Sequence, residues 1–274
     1  MIEKKFGIIG KPLSHSLSPL LHNYWLKKYN INATYSILNI KENDLVNLAK
    51  KIREKSLSGV NVTLPYKQKI INHTDQIIND AKLTGSVNTL LLDNNGLIVG
   101  ENTDVFGLQA AYLKKIDRHV EKKALIIGAG GVSPSVILSL LKSGVKNISI
   151  INRTYDKCLF LKKNFNSLMI HQWSDLQAEI GNHDIIINAT SLGLKDGQDF
   201  DFDFTTCKNN TIYIDTIYNP LKTKTYKFLE DKGIKVFNGL DMFIYQGQKS
   251  FYLWHKINPE IDEDLVNLLL SKLK

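Results

Sequence analysis

Residues Ala124–Pro134, ALIIGAGGVSP, constrain the fold of this chain more than any other stretch. Ala124–Ile127 is a short apolar run of the kind a buried strand needs. Gly128, Ala129, Gly130 and Gly131 follow with almost no side chain, and Val132–Lys142 has helical spacing. A strand that breaks into glycines and opens a helix gathers bare backbone N–H groups and the positive helix end at one point, which suits a pyrophosphate. Ser133 stands where the third glycine of that fingerprint would be, and any tight strand-to-helix turn can use glycines. The end of the next strand adds the decisive detail. Lys146–Ile151 is apolar and β-branched, and the chain then reads Asn152–Arg153–Thr154. This is about 20 residues past the glycines, where a carboxylate would hold an NAD ribose. A carboxylate there would repel a 2′-phosphate, whereas a guanidinium flanked by an amide and a hydroxyl binds one. The expected cofactor is NADP.

At 274 residues the chain makes one large domain or two modest ones. No apolar run reaches the roughly 18–20 residues of a membrane span. The N-terminus, MIEKKFGIIG, has no signal-peptide core or cleavage site and reads as a first strand. Cys158 and Cys207 are far apart and not in a metal-ligand spacing, so the expectation is a cytoplasmic protein with reduced thiols and no metal. The net charge of +8 invites a nucleic-acid reading. The lysines, however, are scattered along helix faces such as Asn47–Lys55 and Lys222–Lys235, and no basic run is interleaved with aromatics. A solvated, lysine-rich surface that helps to gather anionic ligands is the better reading. Neither a nucleic acid nor a membrane is expected as partner.

Two alternating patterns run along the chain. The first places strands at Lys5–Ile9, Thr34–Ile40 and Gly59–Leu64, and helices at Pro19–Tyr29, Glu42–Glu54, near Gln68–Ile71 and near Gln76–Ala81. A hairpin, Thr89–Asp93 and Leu97–Gly100, turns at Asn94–Asn95–Gly96, whose residues tolerate positive φ. Helix Val105–Ile116 leads into the second pattern. There, strands Ala124–Ile127, Ile148–Ile151, Leu168–His171, Ile185–Asn188, Ile212–Asp215 and Lys235–Phe237 mostly alternate with helices, which implies a parallel sheet covered on both faces. Leu194–Asn210 is the longest irregular stretch and carries no readable chemistry. The final helices, Asp241–Lys256 and Glu260–Leu273, have no strand after them and would pack on the first domain.

Four short motifs in the first half sit at strand ends or helix starts, where α/β proteins place ligands. In GKPLSHSLSP, Ser18 followed by Pro19 predicts an N-cap and N1 pair. Ser16 and Ser18 then offer two hydroxyls beside a helix N-terminus, a site for a small carboxylate. The alternative, that Ser18 only caps its helix, is nearly as good. NVTLPYK ends a strand and leaves Lys67 just past the break; alone it would pass for a solvated lysine. GSVNT leads into the hairpin. In GENTDVFG, Asp104 falls in the first turn of the linking helix, where the dipole stabilises a carboxylate anyway.

GKPLSHSLSP, NVTLPYK, GSVNT, GENTDVFG, GAGGVSPS, NRT, NATSLG and YQG occur in the order and approximate spacing of the shikimate dehydrogenase family. The chain resembles that family from Phe6 to about Trp254. The resemblance implies an α/β fold of two α/β domains: a discontinuous substrate domain, residues 1–104 plus 240–274, and a Rossmann-like NADP-binding domain, residues 105–239. It implies reversible NADPH-dependent reduction of 3-dehydroshikimate to shikimate, on the route to chorismate and aromatic amino acids. Carried over motif by motif, Ser16 and Ser18 bind the substrate carboxylate, Lys67 is catalytic with Asp104 as its partner, and Thr63, Asn88, Tyr218 and Gln246 bind substrate. Gln248 is taken as a neighbour of Gln246. The cofactor falls to Gly128, Ala129, Gly130, Gly131, Asn152, Arg153, Thr154, Lys157, Thr190 and Gly239, the last two at the nicotinamide end. The partner is the small-molecule substrate, and the protein is a monomer or homodimer.

The chemistry agrees with these assignments. Hydride addition to a carbonyl builds negative charge on oxygen, which needs a proton donor or a cation in reach. Lys67 can be either, and whether it transfers its proton or polarises the oxygen stays open. Two positions depart from the family pattern. Pro134 stands just after the glycine turn, where family members carry Arg or a small residue, and Lys157 stands where an Arg is common. The first loses a phosphate contact, and the second cannot stack on adenine as well as Arg. The competing readings are a quinate/shikimate dehydrogenase using NAD and a non-catalytic dinucleotide-binding relative. Arg153 opposes the first, and the presence of both Lys67 and Asp104 opposes the second.

Overall fold

A computed structural model describes residues 3–117, 119–195 and 197–273. In chain order its elements are β1 (Lys4–Ile9), α1 (Ser18–Lys28), β2 (Ala33–Ile37), α2 (Leu45–Arg53), β3 (Gly59–Val62), β4 (Gln76–Ile77), α3 (Asn79–Thr84), β5 (Thr89–Leu92) and β6 (Ile98–Glu101). There follow α4 (Asp104–Ala111), β7 (Lys123–Ile127), α5 (Ser133–Lys142), β8 (Asn147–Ile151), α6 (Tyr155–Asn164), β9 (Met169–His171) and α7 (Leu176–Asn182). The chain ends with β10 (Ile185–Asn188), β11 (Ile212–Asp215), α8 (Lys224–Asp231), β12 (Lys235–Phe237), α9 (Leu240–His255) and α10 (Glu263–Leu270). It divides into two units. One closes at Asp104 and resumes over Gln246–Lys272; the other is Val105–Tyr245. The return to the first unit thus falls within α9, at Gln246, rather than at residue 240. An unbroken helix carries no local signal of such a change.

The first unit holds a six-stranded sheet in the order β2-β1-β3-β5-β6-β4. β1 lies parallel to β2 and β3, while β5 runs antiparallel to β3 and β6. The helix expected near Gln76–Ala81 forms only from Asn79. Gln76–Ile77 instead pairs with Val99–Gly100 of β6, whose open edge offers hydrogen bonds that outweigh local helix preference. At the hairpin tip, Asp93 Oδ1 accepts the N–H groups of Asn95 (2.9 Å) and Leu97 (2.8 Å), and Gly96 takes φ +80°. Ser18 is not the cap of α1. It is the first helical residue, Leu17 holds the cap position, and the Ser16 hydroxyl oxygen accepts the Ser18 N–H at 3.3 Å.

Helices α9 and α10 are tied down within this unit. Trp254 donates its indole N–H to Leu90 O at 3.0 Å, and Trp25 donates to Glu260 O at 2.9 Å. Asp262 caps α10 by accepting the Leu265 N–H and also receives the Tyr24 hydroxyl and the Lys28 ammonium. Under this packing lies an aromatic cluster. His22 stacks on Tyr35 (4.3 Å between ring centres) and meets Trp254 at 5.4 Å, while Phe251 meets His255 at 4.4 Å. Neither ring nitrogen of His22 has a hydrogen-bond partner among the described residues. Burial first, and the nearby His255 second, lower its pKa to about 3, so the ring is neutral.

The second unit is a wholly parallel sheet in the order β12-β11-β10-β7-β8-β9. Alternation sorts its residues to two apolar faces. Ala124, Ile126, Ile148, Ile150, Ile185 and Ile187 join one core with α5. Leu125, Ile127, Ile151, Ile186 and Tyr213 join the other. The irregular stretch 194–210 has a packing role that its lack of periodicity hid, although Asp196 lies outside the described residues. Phe204 is buried in the second core, with Phe200 and Phe202 packed against it. Among the described residues, no helix is long and apolar enough to cross a membrane.

Candidate active site

In the first unit, the chain leaves β3 and turns, with the Tyr66 N–H on Thr63 O at 2.9 Å and the Val87 N–H on Lys67 O at 2.9 Å. The turn sets Lys67 facing the start of α4. Its Nζ donates to Asp104 Oδ2 at 2.5 Å, with the two side chains only 12% and 7% exposed. The other oxygen, Oδ1, accepts from Asn88 Nδ2 at 2.8 Å, and the Asp104 N–H donates to Asn102 Oδ1 at 3.0 Å. Asn88 uses its second amide hydrogen on Thr103 Oγ1 (2.9 Å), and its Oδ1 accepts the Thr103 N–H (2.8 Å). Flipping that amide would set a carbonyl against the carboxylate, so its orientation is fixed by chemistry. Both amide hydrogens of Asn88 are therefore taken by the protein.

The segment bearing Ser16 and Ser18 lies beside this turn. A Cβ on Gly10 would come within 2.3 Å of Thr63 Cγ2, and the Lys11 N–H donates to Leu64 O at 2.7 Å. Ser16 is half-buried; Ser18 is buried and its hydroxyl is hydrogen-bonded to that of Tyr35. Gln246 is half-buried on α9, whereas Gln248 is buried and donates to Pro259 O at 2.7 Å. Gln248 thereby holds the turn that follows its own helix.

In the second unit the glycine turn is tied together by two side chains. Ser133, fully buried, accepts the Gly130 N–H and donates to Gly128 O, both at 2.9 Å. This internal clasp is what a serine can do where a third glycine would simply give room. Asn152 Oδ1 accepts the Ala129 N–H at 3.1 Å, and its amide donates to Thr154 O at 2.9 Å. The Gly128 N–H is on Ile151 O at 2.8 Å. The N–H groups of Gly131 and Val132 are left as the turn's donors with no partner among the described residues. Gly128 is irreplaceable on two counts: φ is +112°, and a Cβ would lie 2.8 Å from Ala189 O. Pro134 is buried in the first turn of α5, where its missing N–H costs no helical bond.

Arg153, Thr154 and Lys157 are exposed, and neither cation pairs with a carboxylate among the described residues. Thr190 and Gly239 shape backbone. The Thr190 hydroxyl donates to Asn188 Oδ1 at 2.7 Å and accepts the Leu192 N–H, while a Cβ on Gly239 would lie 2.4 Å from Thr216 O. Tyr218 stacks on Phe243 with ring centres 4.8 Å apart. The sequence reading missed Asp215. It is buried at the end of β11 and accepts from the Ile217 N–H, the Thr223 hydroxyl and the Asn188 amide, which joins three loops. Burial raises its pKa to about 6 despite those bonds. A carboxylate closing the apolar run Ile212–Ile214 was the available signal.

A doubly wound parallel sheet with a glycine turn between its central strand and helix defines an α/β dinucleotide-binding protein. Residues 8–90 match the family described as the shikimate dehydrogenase substrate binding domain, and residues 111–194 match that described as shikimate / quinate 5-dehydrogenase. A relative from Pelagibacter ubique, named shikimate dehydrogenase (NADP(+)), is 42% identical over 98% of this chain and 99% of its own. One of the same name from Staphylococcus epidermidis is 37% identical over 100% of this chain and 99% of its own. The crystal structure of the shikimate 5-dehydrogenase of Thermus thermophilus in complex with NADP(H) and shikimate superposes with a TM-score of 0.87. It is 29% identical and covers 98% of this chain and 100% of that one. The chain belongs to the shikimate dehydrogenase family.

Proposed function

We propose that this protein catalyses the reversible, NADPH-dependent reduction of 3-dehydroshikimate to shikimate. The observation that carries the reading is the nearly buried Lys67–Asp104 pair, with the second oxygen of Asp104 held by Asn88. A cation so placed is a poor investment for stability, because both charges must be desolvated. It is well placed for a substrate oxygen that gains charge. Lys67 Nζ has three hydrogens, one of them on Asp104, and presents the others to the ring oxygen as hydride arrives on its carbon. The oxygen takes one of these hydrogens and leaves a neutral amine, which in the reverse direction receives the hydroxyl proton. Asp104 fixes the direction of the ammonium. Ser16 and Ser18 receive the carboxylate, Thr63, Gln246 and Tyr218 orient the ring, and Asn88 acts on it through Asp104.

The residues of the second unit fit NADP, which supplies the hydride when bound. The open N–H groups of Gly131 and Val132 suit the pyrophosphate, and Arg153 and Lys157 suit the 2′-phosphate. Ala129 and Asn152 serve the cofactor by shaping the turn. We further infer a cytoplasmic protein, monomeric or homodimeric. Burial pushes the thiols of Cys158 and Cys207 up to about 11, which leaves them inert at neutral pH. The test follows the near-ultraviolet absorbance of reduced nicotinamide with shikimate or quinate and NADP or NAD. A higher kcat/KM for shikimate with NADP than for any other pairing supports the reading. A higher value with NAD, or with quinate, overturns the choice of cofactor or substrate.

A further inference from the structure

The polar contacts of Asn88 continue inward to Ser250, which lies on α9 one turn after Gln246 and is fully buried. The Ser250 hydroxyl donates to Gln246 O at 3.1 Å. Its oxygen is 3.0 Å from Asn61 Nδ2, 2.8 Å from Thr89 Oγ1 and 3.2 Å from Thr103 Oγ1. A hydroxyl has one proton and two lone pairs. With the proton on Gln246, the oxygen accepts from Asn61 and from one threonine. The shorter contact assigns the Thr89 proton to Ser250, and the Thr103 proton then goes to Asn88 Oδ1 at 3.2 Å. Each of the three hydroxyl protons thus has its own acceptor. At the far end, the Tyr35 hydroxyl donates to Asn61 Oδ1 at 2.8 Å and is itself hydrogen-bonded to Ser18.

We propose that Ser250 is a positioning residue for the reaction. One buried atom holds the turn of α9 that carries Gln246. Through the Thr89 hydroxyl and the Asn61 amide, which also donates to Asn88 O at 3.2 Å, the same atom holds the start of β5, where Asn88 aims Asp104 at Lys67. A serine that merely bonds back to its own helix needs no other partner. This one draws donors from β3 and β5, and it lies within reach of the residue before α4. Such a buried polar network holds a single arrangement only while every member is satisfied. The inference rests on the roles given above to Lys67, Asp104 and Gln246.

The test compares wild type, S250A, T89V and the double variant for kcat and for the KM of shikimate and of NADP. Melting temperature and the NADP dissociation constant are measured in parallel. Each single variant is expected to lose about tenfold in kcat through misplacement of Asp104, with KM and dissociation constant for NADP within about twofold of wild type. The double variant is expected to be no slower than the slower single one, because both cut the same chain. Wild-type kcat in S250A, or a double variant slowed by the product of the two single effects, overturns the proposal. If S250A is insoluble, T89V decides alone, and wild-type kcat there overturns it. Absence of turnover in wild type contradicts the proposed function instead, so the two failures are told apart.

Discussion

Asn88 Nδ2 lies 2.8 Å from one oxygen of Asp104, while Lys67 Nζ lies 2.5 Å from the other. The carboxylate is gripped on both sides, and Asn88 is gripped in turn by Thr103. Replacing Asn88 with Ala therefore reaches beyond Asn88 itself. It releases Asp104 and leaves the buried Thr103 N–H without its acceptor. The expected outcome is a loss of about 1–3 kcal/mol in stability from that orphaned group. In the fraction that folds, kcat should fall about 10- to 100-fold through the misplaced acid–base pair. Denaturant unfolding and steady-state kinetics on the same preparation check both parts.

In the proposed reading, Arg153 is the cation that separates NADP from NAD. It is exposed and, among the described residues, pairs with no carboxylate, so its removal leaves no buried charge behind. Arg153→Ala is expected to raise the KM for NADP by about 10- to 100-fold, the worth of charge-assisted bonds to one phosphate. The KM for shikimate should stay within about twofold, since the proposal places Arg153 on the cofactor alone. Kinetics with NADP and NAD side by side check this. An unchanged KM for NADP would remove the 2′-phosphate from Arg153.

His22 and His255 make the first unit acid-sensitive. Burial lowers their pKa values to about 3 and about 4. As pH falls below the unfolded value of 6.5, the unfolded chain takes up protons that the folded chain refuses. The stability these rings provide is complete above pH 6.5 and is lost as pH falls towards 4 and then 3. At pH 5 the fully buried His22 alone costs about 2 kcal/mol relative to pH 7.5. His22→Phe, apolar and planar in the same stack, should flatten the fall of melting temperature between pH 7 and pH 5. Parallel melting curves for variant and wild type across this range would sink the assignment.

Where hydrogen-bond partners are local, the sequence was legible. β7, its glycine turn and α5 are contiguous, and the alternating apolar runs of β8, β10 and β11 announce a parallel sheet. The motifs that carry Lys67 and Asp104 led to the expectation that the two pair, and their side chains do meet. The polar interior was not legible, because Asn61 and Ser250 meet across 189 positions and no spacing rule reaches so far. That Ser18 starts α1 rather than capping it was hidden for a smaller reason. A serine before proline suits the cap position, and only the backbone path puts Leu17 there instead. β4 looked helical because its strand state depends on the edge of β6, which lies outside any local window.

The account turns on Lys67 as the group that meets charge on the substrate oxygen, and Lys67→Ala tests this most directly. Turnover of shikimate with NADP is measured together with the shikimate dissociation constant by calorimetry. Loss of a general acid–base group predicts a fall in kcat of about 10²- to 10⁴-fold. Shikimate binding should weaken by less than about tenfold, because Ser16, Ser18, Thr63 and Gln246 remain. Turnover near the wild-type rate in the Lys67→Ala protein would contradict the central claim.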